Sequence, residues 1–293
     1  MTLPVSAWGS TRPLAPVAAH LGGEAALVEW MAEEAARAGD PAFTELFSGA
    51  ARALKLPLGL FAQRHLPSLL GGIRFFGGDV TRPFVEVIAH DLPLETLRAT
   101  VWREWADFAP RAFRLLVPGD HSMPCETCLD QTVHIARAGT IAQAGATLAL
   151  FDGPETAQVI LDAAFAASRV DPGFAGAVNP TDDLPALFDA ERLHAILYQG
   201  VPVGLIATRP GRIAWIDGEI VQELAVHPDH RGRGLAAAGH RALAATFSPE
   251  RPYMGTIAAQ NPASRKSAER SGRPAALKWV FVPIDPTRRG VIP

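Results

Sequence analysis

The chain has 293 residues, of which 48% are hydrophobic, so it is long enough for two domains and too apolar to be disordered. Its net charge of -3 lacks the sustained positive field that nucleic-acid binding needs, and we expect no nucleic-acid partner. No apolar run approaches the length of a membrane span, and prolines interrupt the N-terminus where a signal peptide would need its apolar segment. Only two cysteines occur, which favours a reducing compartment. The composition therefore predicts a cytoplasmic protein without a membrane partner.

The N-terminal half mixes predicted helices and strands. Residues 22–39 predict an amphipathic helix with Val28 and Met31 on its apolar face. A predicted strand-helix-strand unit follows, with its parts at 84–91, 93–108 and 111–118. These elements predict an α/β domain.

A pair of cysteines lies near the end of this half. Cys125 and Cys128 have the C-x-x-C spacing, and His121 and His134 lie near enough in sequence to complete a tetrahedral zinc site. A redox pair and two reduced thiols in a linker are the other interpretations. Because a second cysteine pair is lacking, we favour the linker and expect no metal. We place the domain boundary near residue 144, which gives domains 1–144 and 145–293.

The C-terminal half has a regular order of elements. Predicted helices cover 153–168 and 183–190, and three antiparallel strands lie between residues 193 and 226. The two hairpin turns are predicted at Gln199-Gly200 and Asp217-Gly218, since both pairs favour tight turns. The third strand leads into a Gly-rich loop.

That loop is Arg231-Gly232-Arg233-Gly234, and a helix starts directly after it. Glycines let the backbone turn tightly, and the free N–H groups and positive dipole of the helix start point to the same space. Such a loop favours phosphate, and the two arginines would add full charges. It has neither the Walker pattern nor the full dinucleotide pattern, which disfavours nucleoside triphosphates and NAD.

With its flanks, this stretch resembles the GNAT superfamily of acyl-CoA-dependent N-acyltransferases. The family's loop, Arg/Gln-x-x-Gly-x-Gly/Ala, is matched at Arg231, Gly234 and Ala236. The preceding strand ends in the family's x-Leu-x-Val-x-Pro pattern, at Leu224, Val226 and Pro228. The resemblance implies an α/β fold over 145–293, with a mixed, mostly antiparallel central sheet flanked by helices.

The resemblance also implies acetyl-CoA as co-substrate and assigns residues to it. Main-chain groups of Leu224, Ala225 and Val226 would hold the pantetheine arm. The rest of the cofactor-binding set is Arg231, Gly232, Arg233, Gly234, Leu235, Ala236 and Asn261. The loop 171–183 would help to build the acceptor pocket, and we assign neither Phe174 in it nor Phe188 just beyond it to the site.

Attack of a neutral amine on a thioester needs a base for the ammonium proton. Glu223 on the central strand is the candidate base, because burial can raise the pKa of a carboxyl toward neutrality, and Glu219 at the start of that strand is the reserve. A solvated or ion-paired carboxylate is the structural alternative for both.

The group that would protonate the leaving thiolate is harder to find. Seven residues after Asn261, where the family often has Tyr, this chain has Ala268, and Arg273 replaces an aromatic residue. Ser264 or Ser267 could substitute through a water, or the thiolate could leave unassisted.

Three functions stay open at this stage. The first is an N-acetyltransferase that acts on an amine of a small molecule or peptide. The second is a non-catalytic CoA-binding sensor or scaffold, which Ala268 would favour, and the third is a structural module. The N-terminal half could be a degenerate copy of the C-terminal half, and it lacks the loop that would bind CoA. A homodimer is left open as the assembly.

Overall fold

The computed structural model describes residues 8–143, 146–170 and 183–287. The chain forms two compact units, Met1–Asp130 with Leu277–Pro293, and Gln131–Ala276. These two units differ from the predicted domains in their assignment of residues 131–144 and of residues 277–293.

In the described ranges, no helix combines the length and apolar character needed to cross a membrane.

The first unit has a five-stranded sheet in the order β1-β2-β3-β4-β11. Its strands are β1 (Arg64–Leu66), β2 (Leu69–Phe75), β3 (Pro83–His90), β4 (Ala112–Pro118) and β11 (Ala275–Pro283). Its helices are α1 (Ala15–His20), α2 (Glu24–Ala36), α3 (Pro41–Glu45), α4 (Ser48–Leu54) and α5 (Leu94–Glu104). The predicted strand-helix-strand unit is confirmed, because β3 and β4 are parallel and α5 connects them.

One prediction for this unit was wrong in part, and one strand was not predicted. Helix α2 buries Trp30 and Met31 and leaves Val28 exposed, because the large Trp30 side chain sets which face turns inward. Strand β2, which was not predicted, contains Gly71 and Gly72. Gly71 is needed inside the strand, since a Cβ there would lie 2.7 Å from the carbonyl oxygen of Glu86 on β3.

The second unit has a mixed, mostly antiparallel sheet in the order β5-β10-β9-β8-β7-β6, as predicted for the C-terminal half. Its strands are β5 (Cys128–Arg137), β6 (Thr147–Leu150), β7 (Leu193–Tyr198), β8 (Val201–Ile213), β9 (Ile216–Val226) and β10 (Pro252–Ala258). Its helices are α6 (Pro154–Arg169), α7 (Leu184–Asp189), α8 (Leu235–Ala244) and α9 (Pro262–Arg270). Among the described strand pairs of this second unit, only β9–β10 is parallel.

The second hairpin turn is not at Asp217-Gly218. Strand β8 turns into β9 through Ala214 and Trp215, with Ile213 opposite Ile216. Gly218 instead lies inside β9, where a Cβ would be 2.3 Å from the carbonyl oxygen of Pro252. The glycine thus serves close strand approach instead of a turn.

Strands β5 and β11 explain why the predicted boundary differs from the observed units. β5, which covers much of the predicted linker, pairs antiparallel with β10, whereas the C-terminal strand β11 pairs antiparallel with β4. Each unit thus has an antiparallel meander, a parallel strand-helix-strand unit, and a final antiparallel strand from a distant part of the chain. This shared order favours the hypothesis of a duplicated half.

Candidate functional site

A cavity opens in the second unit where β9 and β10 separate. The described pairing between these strands is limited to Tyr253 with Glu219 and Met254 with Ile220. Beyond these pairs lies a cavity of about 630 Å³, lined on one side by residues 221–226 of β9 and on the other by residues 255–258 of β10. Residues 221–226 of β9 therefore lie beyond the described pairing with β10, where main-chain groups of a strand edge can form hydrogen bonds to a ligand.

The Gly-rich loop and the start of α8 form one end of this cavity. Gly232 and Gly234 have φ of 78° and 75°, a left-handed conformation that side-chain-bearing residues rarely adopt. Gly234 is the N-cap of α8, and no side chain in the described part of the chain caps this helix start. The first backbone N–H groups of α8 are thus left for an anion, which the helix dipole also favours.

The two arginines of the loop do not share one role. The Nη2 of Arg231 donates to the carbonyl oxygen of Ala164 on α6 at 2.7 Å, which fastens the loop to that helix. The guanidinium of Arg233 lies 5.2 Å from the ring centre of Tyr198, and Arg233 does not border the cavity. Arg233 therefore lies outside the described cavity wall, and the Arg231 guanidinium is already engaged by protein groups.

The other predicted cofactor-binding residues all border the cavity. They are Leu224, Ala225, Val226, Arg231, Gly232, Gly234, Leu235, Ala236 and Asn261. Sequence reasoning did not find the contributions of Phe165 and Ser168 on α6 or of His240 on α8. The signal for His240 is its position as the polar residue in an otherwise small and apolar helix face.

The candidate base Glu223 borders the cavity, and a β-bulge positions it. Ala207 on β8 is opposite Glu223, but the next residue, Thr208, is opposite Val221, so Gln222 is the extra residue of β9. A bulge bends a strand and re-aims its side chains, and bulges are frequent beside active sites. One carboxylate oxygen of Glu223 also accepts the main-chain N–H of Leu224 at 3.0 Å.

The reserve base Glu219 lies outside this cavity. Its carboxylate accepts hydrogen bonds from Arg192 at 2.9 Å and from Arg251 at 3.3 Å, and its side chain is buried. The three residues border a separate pocket of about 450 Å³. This arrangement is the ion-paired alternative for Glu219.

Helix α9 forms another wall. The side chain of Asn261 accepts the N–H of Ser264 at 3.0 Å and so caps the helix. Ala268, at the position where the resemblance implied Tyr, is fully buried. The adjacent Ser267 borders the cavity, and its buried hydroxyl has no hydrogen-bond partner among the described residues.

A buried polar cluster, His240-Tyr253-Arg273, lies beneath the cavity. The Nη2 of Arg273 is 2.8 Å from Nε2 of His240, and Nδ1 of His240 is 2.7 Å from the Tyr253 hydroxyl. A guanidinium only donates, so Nε2 accepts and the imidazole proton is on Nδ1. Burial, followed by repulsion from Arg273, holds the pKa of His240 well below its usual value, and burial raises the pKa of Tyr253 to about 12. His240 is therefore neutral at physiological pH.

The residues considered for zinc have other roles. Both ring nitrogens of His134 are engaged, Nδ1 with the carbonyl of Arg273 at 3.0 Å and Nε2 with the Thr132 hydroxyl at 3.1 Å. Cys125 is an exposed free thiol, and Cys128 is a free thiol at the start of β5. In the described ranges, no group of three or more His, Cys, Asp or Glu residues could hold a metal. His121 belongs to no such group, and the loop residue Phe174 lies outside the described residues.

Comparisons with known proteins agree with this geometry. Residues 165–272, which include the loop, Glu223 and α9, match the family described as Acetyltransferase (GNAT) family. No curated protein matches the chain.

Among solved structures, the chain is similar to a GNAT-family acetyltransferase from Colwellia psychrerythraea at 12% identity, with 88% of this chain and 95% of that chain covered and a TM-score of 0.51. A GCN5-related N-acetyltransferase from Sphaerobacter thermophilus matches at 14% identity, with 85% and 95% covered and a TM-score of 0.45. One from Kribbella flavida matches at 15% identity, with 82% and 95% covered and a TM-score of 0.42. Only the first TM-score is high enough to support a shared fold, and at 12% identity it supports the fold alone.

Proposed function

Since residues 165–272 form a domain of the GNAT acetyltransferase family, we propose that the protein transfers an acetyl group from acetyl-CoA to an amine of a small molecule or peptide. One observation carries the proposal: the cavity between β9 and β10 ends at the uncapped start of α8. A long, flexible ligand with a phosphate group at one end would fit both features, with its chain along the strand edge and its phosphate at the helix start.

The residues present fit acetyl-CoA. The backbone N–H groups at the start of α8, within 232–236, would hold the pyrophosphate, and the glycines at 232 and 234 let it approach the main chain. The edge of β9 at Leu224, Ala225 and Val226, which lies beyond the described pairs with β10, would bind the amide groups of the pantetheine arm. Arg231 would act by holding the loop against α6.

Bound acetyl-CoA supplies the activated thioester, and the chain supplies the proton transfers. Glu223 would accept the ammonium proton, directly or through a water, so that the amine can attack with its lone pair. As the new C–N bond forms, the C–S bond breaks, and the departing thiolate takes up a proton. Ser267 is the hydroxyl that borders the cavity nearest in sequence to Ala268, and it would relay that proton from water.

The test of this proposal is Glu223→Gln compared with Glu219→Gln in release of CoA from acetyl-CoA with a panel of amines. Loss of a general base lowers kcat by roughly a hundredfold to ten-thousandfold, and we expect that loss for Glu223→Gln with acetyl-CoA affinity retained. Glu219→Gln makes the same chemical change on the same strand. We expect Glu219→Gln to lower the melting temperature, because Arg192 and Arg251 lose their partner. At assay temperatures well below that melting temperature, we expect its rate of CoA release to equal that of wild type.

Equal rates for wild type and Glu223→Gln would contradict the assignment of the base. Tight acetyl-CoA binding without turnover of any amine would instead support the sensor or scaffold that the sequence left open. A rate lost only in Glu219→Gln would move the base to the reserve position.

A further inference from the structure

Of the two buried arginines among the described residues, Arg98 and Arg273, only Arg98 has carboxylate partners. Arg98 forms ion pairs with Glu95 and Glu126 at 2.6 Å and 2.7 Å. Arg114 pairs with Glu86 and Asp130 at the same two distances. Arg273 is 1% exposed, and among the described residues no carboxylate forms an ion pair with it.

The neighbours of Arg273 leave one of its nitrogens unused. Its Nη2 donates to His240, its Nε is 3.5 Å from the Ser271 hydroxyl, and its guanidinium carbon lies 4.5 Å from the ring centre of Tyr253. The buried Nη1 has no hydrogen-bond partner in the part of the chain that the structure describes. Burying a cation without a counter-ion lowers the free energy of unfolding. Such groups are therefore frequent at functional sites, where a ligand supplies the opposite charge.

The unused nitrogen lies beside Gly255 in the wall of the cavity. Gly255, the first residue of β10 past its last pair with β9, borders the cavity, and a Cβ on it would be 3.7 Å from Nη1 of Arg273 and 3.3 Å from Cβ of Val221. Because residue 255 is a glycine, no side chain separates this part of β10 from the buried guanidinium. Arg273 itself borders the same cavity.

We propose that Arg273 binds a carboxylate of the substrate pair at this part of the cavity wall. The proposal rests on the acyl transfer proposed above and names the substrate class. A carboxylate would bring the missing negative charge and would accept a hydrogen bond from Nη1, and charge-assisted hydrogen bonds are strongest in such a desolvated site. The carboxylate could belong to a dicarboxylic acyl group or to an amino-acid acceptor, and both have the same chemistry.

Two matched pairs of ligands separate these sources. In the acyl arm, calorimetry compares succinyl-CoA with butyryl-CoA, whose acyl chains have equal length and differ in the terminal carboxylate. In the acceptor arm, CoA release from acetyl-CoA compares L-amino acids with their carboxamides. We expect wild type to prefer the carboxylate member of one pair by about tenfold or more.

The same comparisons with variants test the role of Arg273. Arg273→Met should abolish the preference, whereas Arg270→Met, the same change at an exposed arginine that borders the cavity, should keep it. Gly255→Ala retains the guanidinium but places a methyl group beside Nη1, and it should reduce the preference too. This second variant keeps the test decisive if Arg273→Met does not fold.

The outcomes distinguish the two proposals. The carboxylate site alone would be overturned if wild type showed equal affinity or equal rate for both members of each pair. It would also be overturned if a preference survived in Arg273→Met and Gly255→Ala. Failure of wild type to bind any acyl-CoA would overturn the proposed function and this inference with it. A preference confined to one arm identifies the partner that carries the carboxylate.

Discussion

At the scale of single residues, local chemistry was predictable and distant partners were not. The glycines of the loop and Glu223 could be predicted from sequence. A tight turn, or an acidic residue on a strand, can be recognised from a few neighbouring residues. His240 and Arg273 are 33 residues apart, and their contact depends on how α8, α9 and β10 pack. No pattern in either segment alone indicates a buried guanidinium bonded to an imidazole.

The buried imidazole of His240 makes stability depend on pH. Its pKa in the folded protein is well below the value of about 6.5 expected in the unfolded chain, because burial and Arg273 disfavour the charged form. Above that value the residue is neutral in both states and its contribution to stability is fully present. As the pH falls below about 6.5, only the unfolded chain takes up the proton, so the free energy of unfolding decreases.

Urea denaturation at about pH 7, pH 6 and pH 5 measures this effect. His240→Gln should make the decrease shallower, by up to about 1.4 kcal/mol per pH unit, which is the contribution of one proton. His20→Gln, the same change at an exposed residue of α1, is the matched control and should keep the wild-type slope. The account would be wrong if both variants retained that slope, since other buried histidines would then carry it.

At the scale of elements, type and order were predictable and strand partners were not. Helix α5 and the succession of elements from α6 to α8 follow from apolar periodicity and turn residues, and the structure confirms them. The pairing of β5 with β10 and of β11 with β4 joins segments more than 100 residues apart. Apolar alternation indicates that a strand exists but does not identify the strand beside it.

A core substitution on β11 tests its assignment to the first unit. Phe281 is fully buried, with its ring 5.1 Å from that of Phe84 on β3, so Phe281→Ala should cost about 3–5 kcal/mol. Hydrogen exchange followed by mass spectrometry should show faster exchange in β2, β3 and β4 than in wild type, with β7, β8 and β9 changed less. Leu205→Ala, at a fully buried position of β8, should show the opposite distribution.

The reverse result is also informative. If Phe281→Ala loosened β7 to β9 first, β11 would stabilise the second unit, as a boundary at residue 144 implied. The division of the chain into Met1–Asp130 with Leu277–Pro293 and Gln131–Ala276 would then be contradicted.

At the scale of the whole molecule, fold class and cavity position followed from one segment of sequence. The strand, loop and helix start at 221–236 predicted where a phosphate-bearing ligand would bind, because backbone conformation at Gly232 and Gly234 creates that site. The side-chain roles were less predictable. Arg231 and Arg233 are loop cations in sequence, but α6 and Tyr198 determine what their guanidiniums contact.

Calorimetric titration of wild type, Gly234→Glu and Gly200→Glu with acetyl-CoA tests most directly whether acetyl-CoA binds in the cavity at the start of α8. Gly234 and Gly200 have φ of 75° and 80°, and a Cβ on either meets no atom within 4 Å, so the two substitutions carry similar backbone strain. Only Gly234 borders the cavity, where glutamate would add bulk and negative charge at the start of α8. We predict binding to wild type and to Gly200→Glu that is lost in Gly234→Glu. Absence of binding to wild type, or equal binding to both variants, would contradict the account.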